Sequence, residues 1–366
     1  MFAGIYRGKR VLVTGHTGFK GSWLCLWLEE LGAQVCGYSL APDTDPAHFP
    51  LLDLKARSEI ADILDYQHLA QVMADFQPEI VFHLAAQPLV RRGYAQPLET
   101  LNTNVMGTAH VLEACRGADS VHAVVVITSD KCYENQEWIW GYRETNPMGG
   151  YDPYSASKGC AELVVSSYRR SFFQPSNESI GPETLLASAR AGNVIGGGDW
   201  GEDRLVPDIM RAIAARETVT LRNPGATRPW QHVLEPLSGY LLLGQRLLQG
   251  RPECACGWNF GPADEDALTV AQVAEQIKAR WDAFSYAVET TTNQPHEAGL
   301  LRLDCTKART ELSWVPVWKA GTALDKTVDW YRTYYQQGRS IASEQIGEYV
   351  RDATSQGQIW AGDESE

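Results

Sequence analysis

No apolar run in this sequence approaches the roughly 18–20 residues that a membrane-spanning helix needs, so no membrane partner is expected. A basic surplus is also lacking. Thirty-two Lys and Arg stand against 45 Asp and Glu, a formal net charge of −13. That balance excludes a general nucleic-acid binder, which would need a basic face. It leaves a phosphorylated ligand open, because a few local arginines and backbone amides can hold a diphosphate. The eight cysteines are scattered, and the closest pair, Cys254 and Cys256, has the wrong spacing for a zinc knuckle. They read as reduced thiols of a cytoplasmic protein. His296-Glu297 lacks the second His of a zinc-protease helix, and no metal is expected. Val11-Leu12-Val13, after Met1 to Arg10, is too short for a signal-peptide core. Internal repeats and low-complexity tracts are absent.

What is there is strand–helix alternation. Short β-branched runs at Arg10 to Thr14, Gln34 to Ser39, Glu79 to His83, His122 to Thr128 and Thr184 to Arg190 predict strands. Helical patterns at Lys20 to Leu31, His68 to Phe76, Leu101 to Ala114 and Pro153 to Ser171 separate them. This predicts an α/β fold with a doubly wound, Rossmann-like parallel sheet covered on both faces. At 366 residues the chain has room for a smaller C-terminal α/β lobe as well. The expected division is residues 1–190 for a cofactor domain, with segments near 231–262 returning to it. Residues 191–350 would form mainly a substrate lobe, with helices near Leu234 to Leu248, Val270 to Trp281 and Leu324 to Tyr335. Residues 351–366 are polar and expected to fray.

Val11 to Gly21 runs from strand through a Gly-rich turn into a helix. Gly15, Gly18 and Gly21 permit a tight turn, a close approach to a pyrophosphate, and tight packing of helix on strand. The helix N-terminus adds amide donors and partial positive charge. Thr17, Phe19 and Lys20 fill the rest of this candidate dinucleotide loop. Ser39 stands at the end of the second strand, where an NAD site usually places an acid; no Arg is nearby for a 2′-phosphate. Asp62 and Ile63 are candidates to meet the adenine, although Asp62 also suits a helix cap.

Tyr154 and Lys158 are four apart on one face of a predicted helix. Ser129, Asp130 and Lys131 follow the strand that ends near Thr128, at the edge where doubly wound sheets bind ligands. A tyrosine becomes a useful base only if its pKa falls, which nearby cations promote. Ser129 is suited to orient a reacting hydroxyl.

The Gly15/Gly18/Gly21 loop, Leu84-Ala85-Ala86, Asn104 in Asn104-Val105-Met106-Gly107-Thr108, the Ser129/Tyr154/Lys158 set and Arg190-Ala191-Gly192-Asn193 occur in one order along most of the chain. Together they resemble the extended short-chain dehydrogenase/reductase family, which includes the NAD-dependent epimerases and dehydratases. The resemblance implies that Leu84, Ala85 and Ala86 pass beside an NAD cofactor, Asn104 orders a central helix, and Lys158 also bonds the nicotinamide ribose. It implies a homodimer or homotetramer, formed through the helices near Asn104 to Ala114 and Tyr154 to Ser171.

Within that family, hexose 4,6-dehydratases carry an acid and a base after the serine position, commonly Thr-Asp-Glu. Here the triplet reads Ser129-Asp130-Lys131. With Gly149 to Tyr154, Gly192 to Trp200 and Arg228 to Val233, this Asp-Lys variant resembles the branch acting on a CDP-linked hexose in deoxysugar biosynthesis. The implied chemistry is oxidation at C4, loss of water across C5 and C6, and return of hydride to C6. Lys131, or Asp130 with it, would take the C5 proton, and Asp130 would protonate the departing hydroxyl. The resemblance implies a substrate set of Gln87, Asn193, Arg204, Leu205, Val206, Arg228, His232 and His296. Trp138, Trp140, Trp200 and Trp230 are candidates to line a sugar pocket, or simply to fill core. A 4-epimerase, a dehydratase for another nucleotide hexose and a non-catalytic, NAD-sensing binding protein are the alternative readings.

Overall fold

The computed structural model describes residues 1–173, 184–263, 267–281, 283–288 and 299–362. Six strands open the sheet: β1 (Arg10–Thr14), β2 (Gln34–Ser39), β3 (Arg57–Ile60), β4 (Ile80–His83), β5 (Ala123–Ile127) and β6 (Leu185–Ala191). A seventh strand, Gly257–Phe260, pairs with β6, so the chain returns to the sheet late in its course. All pairings are parallel, and the spatial order is Gly257–Phe260, β6, β5, β4, β1, β2, β3. This is the expected doubly wound Rossmann-like architecture. The chain reverses direction between β1 and β4, which creates a crevice at their C-terminal ends.

Both sheet faces are buried, as the continuous apolar strands require. Val11, Val13, Ile80, Phe82 and Val125 point into one core, whereas Leu12, Val81, Val124 and Val126 point into the other. The second core is closed by α2 (Tyr66–Phe76), α5 (Gly107–Arg116) and α6 (Pro153–Ser171). The first is closed by α1 (Phe19–Glu30) and α8 (Leu234–Leu248). Two short helices, α3 (Val90–Ala95) and α4 (Pro97–Leu101), lead towards α5. The expected single helix from Leu101 to Ala114 is instead interrupted by a π-helical turn at Asn102–Met106.

Outside the large sheet, the described residues of the second half form α7 (Leu205–Ala215), α9 (Val270–Arg280) and α10 (Thr306–Glu311) with three short strand pairs. α9 starts at a reciprocal capping box of Thr269 and Gln272. The chain ends in α11 (Ala320–Gln337) and α12 (Ala342–Ser355). The buried Glu235 carboxylate of α8 ties these parts together, accepting hydrogen bonds from Val317 N (2.9 Å), Trp318 N (2.7 Å) and the Tyr349 hydroxyl (2.7 Å).

The frayed tail expected from residue 351 onward is corrected as far as the described residues reach. α12 continues to Ser355, and Trp360 is buried, stacked on Phe2 at 5.2 Å. Phe2 N donates to the Trp360 carbonyl at 2.6 Å. Polar sequence hid one large apolar anchor.

Candidate active site

The crevice is lined first by the glycine turn after β1. Gly15 has φ of +75°, and a Cβ there would lie 2.7 Å from Ala85 N. A Cβ at Gly21 would lie 2.0 Å from the Gly15 carbonyl oxygen. The turn therefore has to be bare backbone, with the loop after β4 pressed against it. Gly18 is the N-cap of α1 and offers no side-chain cap, which leaves the first amides of that helix available to an anion. The turn is pinned to the end of β2 through Thr17, whose hydroxyl donates to the Leu40 carbonyl at 2.8 Å and meets the Ser39 hydroxyl at 2.9 Å. Ala85 N donates to Thr14 Oγ1 (3.2 Å), and Leu84 N to the Thr14 carbonyl (3.1 Å). This cradle fits the diphosphate of a dinucleotide. Beyond it, the Asp62 carboxylate accepts from Leu64 N (2.9 Å), while Ile63 is buried against Gly107, where a Cβ would lie 2.3 Å from its Cδ1.

α6 brings the second group of residues to the same crevice. Its start is fixed by Asp152, which accepts from Ser155 N (3.0 Å) and the Ser155 hydroxyl (2.6 Å), and by Pro153 in its first turn. Tyr154 and Lys158 follow, one turn apart and both buried. Asn104, turned inward by the π turn, accepts from Gln87 N (2.8 Å) and donates to the Gln87 carbonyl (3.1 Å) and Ser157 Oγ (2.8 Å). It thus locks the loop after β4 to α6. Ser129, at the end of β5, donates to Asp130 Oδ1 at 2.9 Å and accepts from Lys131 N at 3.2 Å. Asp130 is buried, and among the described residues its Oδ2 has no hydrogen-bond partner. Gly192 keeps the space in front of that oxygen open, since a Cβ there would lie 3.2 Å from it. Lys131 is half-buried.

The electrostatics single out the same group. Burial lowers Lys158 to about 8, opposed by Cys132 and Glu162. Burial likewise lowers Lys20 to about 8, and its charged neighbours are Arg204, Asp130, Lys158 and Asp199. Burial pushes the Tyr154 phenol up to about 12; contact with Ser129 and the charge of Arg204 pull it down, while Asp130 and Asp152 raise it. Three cations, Lys20, Lys158 and Arg204, thus converge with two carboxylates, an arrangement suited to an anionic ligand.

On the lobe side, Arg204 forms the N-cap of α7 and pairs with both oxygens of Asp199, at 3.1 and 3.0 Å. Leu205 is half-buried at the start of α7, while Val206 points into the core with Ile209 and Met210. Asn193 accepts from Gln231 N (3.1 Å) through its carbonyl. Arg228 is buried and donates to the Thr227 (3.0 Å) and Gly299 (3.1 Å) carbonyls. Trp140 is exposed and Trp138 lies beside it, with ring centroids 5.9 Å apart.

Residues 12–327 match the GDP-mannose 4,6 dehydratase family. The chain is a member of the GDP-mannose 4,6 dehydratase family. Among relatives, a CDP-glucose 4,6-dehydratase of Salmonella typhimurium is 52% identical over 356 residues, covering 95% of this chain and 98% of that protein. A dTDP-glucose 4,6-dehydratase of Neisseria gonorrhoeae is 25% identical, covering 88% of this chain and 95% of that one. The fold is shared with a dTDP-glucose 4,6-dehydratase from Streptomyces venezuelae solved with NAD and TYD bound. The two superpose with a TM-score of 0.74 at 24% identity, over 88% of this chain and 97% of that one. A UDP-glucose 4-epimerase from Thermotoga maritima, solved with UDP-glucose, gives 0.75 at 22% identity over 88% and 99%.

Against this member of the GDP-mannose 4,6 dehydratase family, several expectations need correction. His232 does not line the crevice: it is fully buried, edge-on to Trp318 (5.0 Å) and Trp23 (5.9 Å), and burial lowers its pKa to about 3. Gln87 is buried, and both ends of its amide are committed locally. Nε2 donates to the Leu89 carbonyl (3.1 Å) and Thr100 Oγ1 (2.8 Å), and Oε1 accepts from Leu89 N (2.6 Å). Val206 fills core rather than facing a ligand, and Trp200 and Trp230 follow the core alternative of their two readings. His296 lies outside the described residues. The sequence reading missed Glu162, four residues after Lys158 on the same helical face, and the Asp199 partner of Arg204. The i, i+4 spacing was the available signal for the first; the second needed the fold.

Proposed function

We propose that this chain converts CDP-D-glucose to CDP-4-keto-6-deoxy-D-glucose and water, with NAD as its resident cofactor. The observation that carries the reading is 52% identity to a CDP-glucose 4,6-dehydratase across nearly the whole of both chains. Supporting it, Ser129, Asp130, Tyr154 and Lys158 converge beside a bare glycine cradle that fits a dinucleotide. On this reading, residues 1–190 together with the segments that return to the sheet hold the cofactor, and 191–350 mainly hold the nucleotide sugar.

Gly15, Thr17, Gly18, Phe19, Lys20 and Gly21 hold the cofactor diphosphate; Ser39, Asp62 and Ile63 form its adenosine end, and Leu84, Ala85 and Ala86 flank it. When bound, NAD supplies the hydride acceptor for C4 and the hydride donor for C6. Tyr154 removes the C4 hydroxyl proton, with Ser129 orienting that hydroxyl and Lys158 supporting the phenolate. The C4 ketone acidifies the C5 hydrogen. Lys131, or Asp130 with it, takes that proton, and Asp130 protonates the departing C6 hydroxyl, so that water leaves. The open Oδ2 of Asp130 supports this role. Tyr154 gives its proton back to C5 as hydride reaches C6, and the proton that Lys131 took from C5 passes to Asp130, so the protein ends unchanged. Asn193, Arg204, Leu205 and Arg228 face the nucleotide diphosphate and base, where a planar guanidinium suits bidentate contact.

The apolar side chains Leu98, Leu101, Met106 and Leu163 are exposed on and around α4, α5 and α6. A homo-oligomer would cover them. No helix among the described residues is long and apolar enough to cross a membrane; the cytoplasmic location belongs to the proposed nucleotide-sugar function.

The test is a panel of CDP-glucose, dTDP-glucose, UDP-glucose and GDP-mannose, scored by alkaline absorbance of a 4-keto product. CDP-glucose should be turned over with the highest kcat/KM. Preference for another nucleotide would overturn the substrate while keeping the reaction class, and epimer without keto product would overturn both.

A further inference from the structure

Behind the catalytic group lies a buried ion pair that the reaction above does not use. Arg190 on β6 makes a two-pronged contact with Glu162 on α6, Nε to Oε1 and Nη2 to Oε2, each 2.8 Å. The same carboxylate accepts from the Thr128 hydroxyl (2.5 Å) and the Ser188 hydroxyl (2.8 Å). Arg190 Nη1 donates onward to the Tyr133 hydroxyl (2.6 Å), which donates to Asn259 Oδ1 (2.8 Å). Asn259 Nδ2 in turn donates to the carbonyls of Tyr142 (2.8 Å) and Asp304 (3.1 Å). The side chains from Thr128 to Asn259 in this chain are all buried.

Thr128 and Tyr133 bracket the short 3-10 turn Asp130–Cys132 that follows Ser129. A single ion pair thus grips both ends of the segment bearing Ser129, Asp130 and Lys131. Glu162 also shares one helix with Tyr154, eight residues away, or about 12 Å along a rigid axis. Dehydration needs oxidation at C4 and proton traffic at C5 and C6 on one sugar ring, so the two sets of side chains must keep a fixed offset.

We propose that Glu162, through Thr128 and the Arg190–Tyr133 contact, is a positioning residue that sets the acid–base segment 129–131 against Tyr154. The clamp matters to elimination more than to the first oxidation. Oxidation has Tyr154 and Lys158 on α6 itself and takes only Ser129 from the clamped segment, whereas elimination takes both Asp130 and Lys131 from it. This rests on the proposed dehydratase reading.

Glu162→Gln would strand the buried Arg190 charge and endanger folding, so the decisive variant is Thr128→Val, which removes one hydroxyl and leaves the ion pair intact. In single-turnover runs with CDP-glucose, Thr128→Val should form 4-keto-6-deoxy product about 10–100-fold more slowly, the loss that a misplacement of order 1 Å brings. KM should stay within about threefold, and reduced nicotinamide should accumulate because oxidation outruns elimination. Thr128→Ser, which keeps the hydroxyl, should restore the wild-type partition. Product formation by Thr128→Val at the wild-type rate would overturn the proposal. So would equal slowing of oxidation and elimination together with a lowered melting temperature, the mark of a purely structural role. The parallel wild-type run separates the two readings: absence of any keto product there overturns the dehydratase reading, whereas wild-type product with an unaltered variant overturns the clamp alone.

Discussion

Ser129 and Asp130 share a hydrogen bond, Oγ donating to Oδ1 at 2.9 Å, while Asp130 Oδ2 is buried and open towards the gap kept by Gly192. On the proposed mechanism, one carboxylate oxygen is thereby tied to the group that orients the C4 hydroxyl and the other is left to act on the sugar, so that redox and elimination chemistry would be joined at adjacent residues.

Asp130→Asn keeps an acceptor for Ser129 and removes only the ionisable proton. Formation of 4-keto-6-deoxy product should fall on the order of 10²–10⁴-fold, the usual contribution of a general acid or base. Oxidation at C4 should persist, seen as accumulation of reduced nicotinamide on mixing with CDP-glucose. Loss of both signals together would show that the residue supports the site rather than the elimination.

Lys158 gives a pH signature in the chain without ligand. Burial lowers it from 10.5 to about 8. Between those values the unfolded chain binds more protons than the folded one, so this group's contribution to stability rises with pH across the window. Below about pH 8 the buried charge is a full liability. Lys158→Met should therefore melt at a higher temperature than wild type near pH 7, with the gap shrinking as pH rises towards 10. A gap that widens with pH would contradict the sign.

Gly15→Ala should damage cofactor binding before it damages the fold. A left-handed φ costs a non-glycine residue roughly 1–2 kcal/mol, and the added methyl would strike the Ala85 backbone at 2.7 Å. A weakened NAD affinity, followed by fluorescence titration, is expected together with a modest drop in melting temperature. Unchanged NAD affinity would remove this turn from the cofactor site.

Trp360→Ala tests the corrected C-terminus. Removing a buried Trp typically costs about 3–5 kcal/mol, and this one stacks on Phe2 and on Tyr349, at 5.2 and 5.7 Å. A clear shift in the urea midpoint is expected, with kcat per folded molecule little changed. No shift would mean that the segment frays after all.

The sequence alone was enough for five of the seven sheet strands, the glycine turn and the Tyr154/Lys158 helix; Arg57–Ile60 and Gly257–Phe260 were not expected as strands. Strand and helix periodicity, cap chemistry and glycine requirements are local, and each is written within a few consecutive residues: Arg10–Thr14, Pro153–Ser171 and Leu234–Leu248 run as the pattern predicts. Tertiary structure decided what depends on residues far apart in the chain. It turned Asn104 inward at a π turn, buried His232 between tryptophans from α1 and the 318 region, drew Arg204 onto Asp199, and joined Thr128 to Glu162 and Arg190. A motif states which side chains are present. Whether a polar one meets ligand, core or a buried partner depends on which surfaces the fold brings against it, and no local pattern encodes that.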